Sequence, residues 1–219
     1  MDRNKIALRF NMKEDFKYPF FLIALGAFMF VPSFVGKDYA DFISNILFVF
    51  FIISSLSLIS ARSKMIRAFS YLIGILGISA EIVHKFIRPL GGSFQIVFML
   101  LIFVYFIFLF IELVGQIFKS KNITLNVVLG AFSGYIMIGI IGYFVFRIIF
   151  LLNPESFAIP ENNIQSLIYF TFITLTTIGY GDISPLSEIA RNFAVMLGLV
   201  GQFYNTVIIA IIIGKFLQR

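Results

Sequence analysis

Apolar residues run along this chain in long blocks rather than in short amphipathic stretches. Read in windows of about 19 residues, the blocks stand at 18–36, 42–60, 66–83, 94–118, 124–152 and 190–217, with polar or charged positions between them. At about 1.5 Å of rise per residue, each can cross a hydrocarbon core of roughly 30 Å. The pattern predicts six spanning helices. One further apolar run, about 164–176, is too short to span and abuts a glycine-rich turn. Non-helical backbone at membrane depth is tolerated only where protein or water surrounds it, so this run is predicted to be re-entrant.

Charge sets the orientation. With the N-terminus inside, the cytoplasmic segments hold Arg3, Lys5, Arg9, Lys13, Lys17, Arg62, Lys64, Arg67, Lys119, Lys121, Lys215 and Arg219, twelve in all. The other side holds Lys37, Lys85, Arg88, Arg147 and Arg191, which makes five. Excess basic residues stay on the cytoplasmic side, so both termini are expected there, in a multi-pass protein of the cell membrane. The net charge of +6 comes from cations scattered at the ends of apolar runs, which does not suit nucleic acid. In segment 1–18, Lys5, Arg9, Lys13 and Lys17 recur every four residues among Ile6, Leu8, Phe10, Met12 and Phe16. That spacing fits a helix lying on anionic inner-leaflet lipids; a basic tail that only sets topology is the alternative.

Composition narrows the class further. Hydrophobic residues make up 60% of the 219 and charged residues 13%, the latter about half the usual share. A soluble enzyme, a disordered chain and a coiled coil are excluded. There is no Cys, so no disulfide framework or thiolate chemistry is available. No metal-ligand spacing, phosphate loop or nucleophile–base pair is present, and no enzyme and no cofactor is expected. At the outer end of the third run, Glu81, His84, Lys85 and Arg88 read as an ion-paired helix end, with proton sensing by the lone His84 as the alternative.

The short run ends in Thr174-Leu175-Thr176-Thr177-Ile178-Gly179-Tyr180-Gly181-Asp182. In a chain of this composition, Thr-x-Gly-Tyr-Gly arises by chance on the order of once in a thousand sequences. A monovalent cation leaving water must find oxygens that replace its hydration shell, and stacked rings of backbone carbonyls from several chains supply them. Aiming successive carbonyls at one axis requires alternating right- and left-handed dihedrals, which accounts for Gly179 and Gly181. The Thr177 hydroxyl and carbonyl can close the inner end. Ile178 and Tyr180 are expected to wedge against Tyr169, Phe170 and Phe172. The unpaired carbonyls at the end of the short helix are expected to add a field that favours cations. Glu155, Glu161, Asp182 and Glu188 are placed near the outer mouth.

This segment resembles the signature sequence of potassium channels, and 124–219 resembles their outer helix (124–152), pore helix (about 164–176), filter (177–182) and inner helix (190–217). The resemblance implies an all-α integral membrane fold of six transmembrane helices plus a re-entrant pore helix and selectivity-filter loop. It implies a homotetramer in the lipid bilayer that conducts potassium passively, with potassium as the permeant ligand bound by backbone oxygens of Thr177, Ile178, Gly179 and Tyr180 and the Thr177 hydroxyl, and Gly181 completing the filter. Asp182, Tyr169 and Thr176 are assigned as filter support; relatives often carry Trp where Tyr169 stands and, in some prokaryotes, Glu where Ile173 stands. The stretch Gly201-Gln202-Phe203-Tyr204 is similar to inner helices of prokaryotic members. The alternatives are a transporter, a non-conducting or regulatory subunit, and a weakly selective cation channel.

Residues 19–123 would then form a four-helix scaffold like a voltage-sensor domain. Yet 94–118 contains no Lys or Arg, and its charge is Glu112. Weak or no voltage dependence follows, because steep gating needs about three or four charges per subunit. On the last helix, Gly198 and Gly201 are hinge candidates, with close packing as the rival role. That packing role is given to Gly130 and Gly134 on the fifth helix. Gln202 and Asn205 are cavity-lining candidates, with a hydrogen bond between helices as the alternative.

Overall fold

The computed structural model describes residues 17–59, 68, 71–72, 75–76, 92–120, 124–159 and 166–217. The elements are α1 (Lys17–Phe30), α2 (Lys37–Leu56), α3 (Gly92–Lys119), α4 (Leu125–Leu152), β1 (Phe157–Ala158), α5 (Ser166–Leu175), β2 (Ser184–Pro185) and α6 (Glu188–Leu217). The chain divides into two compact units, Met1–Leu58 and Ile59–Arg219. The basic N-terminal segment to residue 16, most of the third run, the cluster Glu81, His84, Lys85 and Arg88, and Glu161 lie outside the described residues.

In the first unit α1 and α2 pack along each other. Tyr18, Phe21, Ala24 and Leu25 form the buried stripe of α1, and ring contacts join Phe20 to Phe50 and Phe21 to Phe51, at 5.3 and 5.4 Å between centroids. The buried Ser54 and Ser55 hydroxyls donate to the carbonyls of Phe51 and Ile52, which satisfies two polar groups inside an apolar pair. The first apolar run is not one unbroken helix. α1 has 14 residues and rises only about 21 Å. It gives way to a 3-10 turn over Val31–Phe34, because Pro32 lacks the amide that would continue the ladder and disfavours helix at Val31.

In the second unit α4 is central, packing against α3, α5 and α6. Ile102, Phe106, Leu109, Leu113 and Ile117 give α3 a fully buried stripe at helical spacing, and the Phe106 ring stacks on Phe144. Small residues on α4 take side chains from its partners. A Cβ on Gly134 would collide with the Tyr204 hydroxyl, one on Gly139 with the Phe172 ring at 2.6 Å, and one on Gly142 with Leu197 at 2.8 Å. The expected packing role of Gly134 is thus met, and Gly130 is buried on the same helix.

Among the described residues three helices are long and apolar enough to cross a membrane: Met99–Lys119, Leu125–Leu152 and Glu188–Lys215. The chain is an all-α, multi-pass membrane protein. The described positions of the third run (Ala68, Tyr71, Leu72, Ile75, Leu76) are helical.

Candidate functional site

α5 is half a span. Its ten residues rise about 15 Å, so its C-terminus falls at mid-membrane when its N-terminus is near one surface. Phe170 holds it against α4 and β1 through Phe146 and Phe157, at 5.1 and 5.7 Å between ring centroids, and Phe146 closes the triangle on Phe157 at 5.6 Å. The buried Thr171 hydroxyl returns to the Leu167 carbonyl at 2.6 Å, so no polar group of the packed face is left open.

The end of α5 is not bare, contrary to expectation. The Phe172 carbonyl accepts the Thr176 amide at 2.9 Å and its hydroxyl at 2.6 Å. The Ile173 carbonyl accepts the Gly179 amide, and the Thr174 carbonyl accepts the Thr177 amide, both at 3.1 Å. The Leu175 carbonyl accepts the Tyr135 hydroxyl of α4 at 3.0 Å. Helix ends buried away from water need such partners. The ribbon that follows is suspended from the helix by its own amides.

That ribbon alternates in hand. Thr177, Gly179 and Gly181 have φ of 62°, 58° and 80°, and they are the described residues with positive φ. Two are the glycines expected there. The third, Thr177, is β-branched, a type for which this region is a true outlier at a cost on the order of 1–3 kcal/mol. The Gly179 amide turns toward α5, so the trans peptide it shares with Ile178 directs the Ile178 carbonyl the opposite way.

The expected wedge of Ile178 and Tyr180 on the α5 aromatics is not made within one chain. Their side chains are 54% and 72% exposed, Phe170 is occupied by Phe146 and Phe157, and Phe172 lies on Gly139. Tyr169 does meet Asp182. The Tyr169 phenol stands in hydrogen-bond reach of the Asp182 carboxylate. Beyond Asp182 a two-residue bridge, Phe157 opposite Pro185 and Ala158 opposite Ser184, ties the ribbon's outer limb to the chain leaving α4. The buried Ser156 carbonyl accepts the amides of Leu186 and Ser187, at 2.8 and 3.3 Å. Glu155 and Glu188 are exposed, as is Asp182.

α6 begins where the Ser187 hydroxyl accepts the Ala190 amide at 3.2 Å, an N-cap followed by Glu188 in the first turn. Leu197, Tyr204 and Ile208 are buried. Gly201 belongs to that face: a Cβ there would stand 2.4 Å from Leu175, so it serves close packing, while Gly198 has open space. At about 100° per residue, Gly198, Gln202 and Asn205 share another side of the helix. Thr206 adjoins it, with its hydroxyl on the Gln202 carbonyl at 2.9 Å.

Besides the Tyr135 bond, two more ties escaped the sequence reading. The buried Tyr204 hydroxyl donates to the Ala131 carbonyl at 2.8 Å, with its ring stacked on Tyr135 at 6.4 Å. At the other end of α6, the Lys215 ammonium donates to the carbonyls of Ile117, Phe118 and Ser120, at 3.2, 3.0 and 2.6 Å, capping α3. Phenols inside apolar runs were the available signal, since a buried hydroxyl requires a partner.

Residues 130–218 match the family model described as an ion channel. Two-pore potassium channel 2 of Arabidopsis thaliana is 36% identical over 55 residues, 25% of this chain and 12% of that protein. Two-pore potassium channel 3 of the same plant matches equally over 55 residues. Two pore potassium channel c of Oryza sativa subsp. japonica is 41% identical over 49 residues, 22% of this chain and 11% of that protein. The chain thus spans about an eighth of the length of the curated relatives it matches. No solved structure matches it. The half-length helix, the alternating ribbon and the helices that flank them lie in the part of the chain that matches an ion-channel domain.

Proposed function

We propose that the chain is one subunit of a homotetrameric, potassium-selective channel that conducts passively. The observation that carries this reading is the left-handed backbone at 177, 179 and 181, directly after a ten-residue helix too short to span. A ribbon of alternating hand turns its oxygens to one side, and one ribbon supplies a single oxygen at each level. Four copies complete each ring of carbonyls that replaces the water around potassium. Thr177, Ile178, Gly179 and Tyr180 give the backbone oxygens and Thr177 its hydroxyl; Gly181 carries the turn that follows. The exposed Ile178 and Tyr180 side chains are supported by neighbouring copies in that arrangement.

Asp182 and Tyr169 brace the outer limb of the ribbon, and Thr176 the inner. Gln202, Asn205 and Thr206 line the water below, and Gly198, which nothing fills, is where α6 bends. α3 carries no Lys or Arg over 94–118, so the channel responds weakly to voltage. Both termini lie in the cytoplasm, six helices span the cell membrane, and residues 19–123 form its scaffold.

Purified protein in liposomes tests the reading. Potassium flux is expected, with sodium largely excluded, and near silence for Gly179→Ala. Equal passage of both ions reduces the protein to a weakly selective cation channel, and no flux makes it a non-conducting subunit.

A further inference from the structure

The last turn of α5 carries the ribbon, and its carbonyls are answered in two ways. Those of Phe172, Ile173 and Thr174 accept groups of the chain that follows them. The Leu175 carbonyl, two residues before the left-handed Thr177, accepts a side chain forty positions away, the Tyr135 hydroxyl. Leu175 is also gripped by its side chain, which is fully buried against Gly201 of α6 and Gly139 of α4. A leucine held at both ends fixes the height of what comes next. Thr177 needs that hold, because a β-branched residue in left-handed backbone relaxes unless its surroundings over-determine it.

We propose that Tyr135 is a positioning residue for ion selection: its hydroxyl anchors the Leu175 carbonyl and so sets the level of the Thr177 oxygens. The inference rests on the potassium-channel reading. Without the phenol, the Leu175 carbonyl lies at membrane depth with no donor and turns toward the water-filled side to find one. Thr176 and Thr177 move with it, and the innermost ring no longer matches a dehydrated potassium ion. Sodium, which needs shorter contacts, is then admitted.

Tyr204 provides a matched control. It also donates a phenol to a backbone carbonyl of α4, and its ring stacks on that of Tyr135, but its partner is Ala131 and it does not bond α5. Tyr135→Phe and Tyr204→Phe each delete one oxygen and one hydrogen bond. Both are reconstituted in liposomes, and the potassium-to-sodium flux ratio is read beside the thermal stability of the oligomer. Tyr135→Phe is expected to lower the ratio about tenfold, whereas Tyr204→Phe lowers stability and keeps the ratio. A wild-type ratio in Tyr135→Phe, or an equal fall in Tyr204→Phe, overturns the inference. A wild-type protein that does not discriminate potassium from sodium overturns the channel reading instead. Should Tyr135→Phe not assemble, ring-fluorinated tyrosines at 135 keep the hydroxyl and strengthen it as a donor: a ratio that moves with fluorination supports the anchor, and an indifferent one refutes it.

Discussion

Gly179 separates two reasons for a glycine that are often confused, lack of room and backbone hand. A Cβ placed there meets nothing within 4 Å, while φ is +58°. Replacing Gly179 by alanine therefore creates no clash within the chain, and its whole cost is conformational, roughly 1–2 kcal/mol for an L-residue in left-handed backbone. In the proposed ring of four the penalties add to about 4–8 kcal/mol, or about three to six decades in the population of a fully formed filter. Conduction is expected to fall by at least the lower figure, while the helices, whose packing does not involve Gly179, keep their thermal stability. Ion flux in liposomes and thermal unfolding of the same preparation measure the two. The decisive arm places the D-enantiomer of alanine at the same position, which prefers positive φ and adds the same methyl. It should conduct. If D- and L-alanine silence the channel equally, the reasoning from backbone hand is wrong and the methyl is colliding with something contributed by another copy.

The other glycines are predicted by the opposite criterion. Gly201→Ala forces a methyl to 2.4 Å from Leu175 and should destabilise by about 1–3 kcal/mol through overpacking, whereas Gly198→Ala meets open space and should stabilise α6 by up to about 1 kcal/mol; thermal unfolding of the pair distinguishes them. Lys215→Met removes the cation from the α3 carboxyl end and should cost up to about 2 kcal/mol, with Lys215→Arg retaining most of it, read by the same melts. Tail currents over a wide voltage range should show no steep activation curve, since 94–118 holds no Lys or Arg.

What could be read from the sequence follows the range of the forces involved. The lengths of α3, α4 and α6 come from a solvent with no hydrogen bonds to offer, so apolar run length alone reports them to within a few residues, and α6 begins only two residues before the expected position. The handedness at Gly179 and Gly181 was legible because a missing Cβ marks it in the sequence. At Thr177 no such mark exists: the strain is imposed by contacts, through Leu175 and the end of α5, and a threonine reads as an oxygen donor either way. The α1 break was signalled by Pro32, yet hydropathy averaged over a window conceals a single residue without an amide.

The polar ties are the instructive omission. Tyr135, Tyr204 and Lys215 bond to backbone carbonyls, and a carbonyl has no sequence identity, so no pairing of residue types could reveal the partner. Hydropathy scales also treat tyrosine in an apolar run as background. At membrane depth it is not background, because each phenol must find an acceptor that water cannot supply. Two such phenols and the Lys215 ammonium join α3, α4, α5 and α6, every long helix of the second unit and the short one carrying the ribbon. The inner helix is thereby bonded to the outer helix by Tyr204 and to α3 by Lys215, and the outer helix to the ribbon's base by Tyr135. A shift of α6 that leaves α4 in place has to break the Tyr204 bond and lift Gly201 off Leu175. A bend at the proposed hinge Gly198 that swings the C-terminal part of α6 is consequently felt at the base of the ribbon, because Gly201, which packs on Leu175, lies on the moving side.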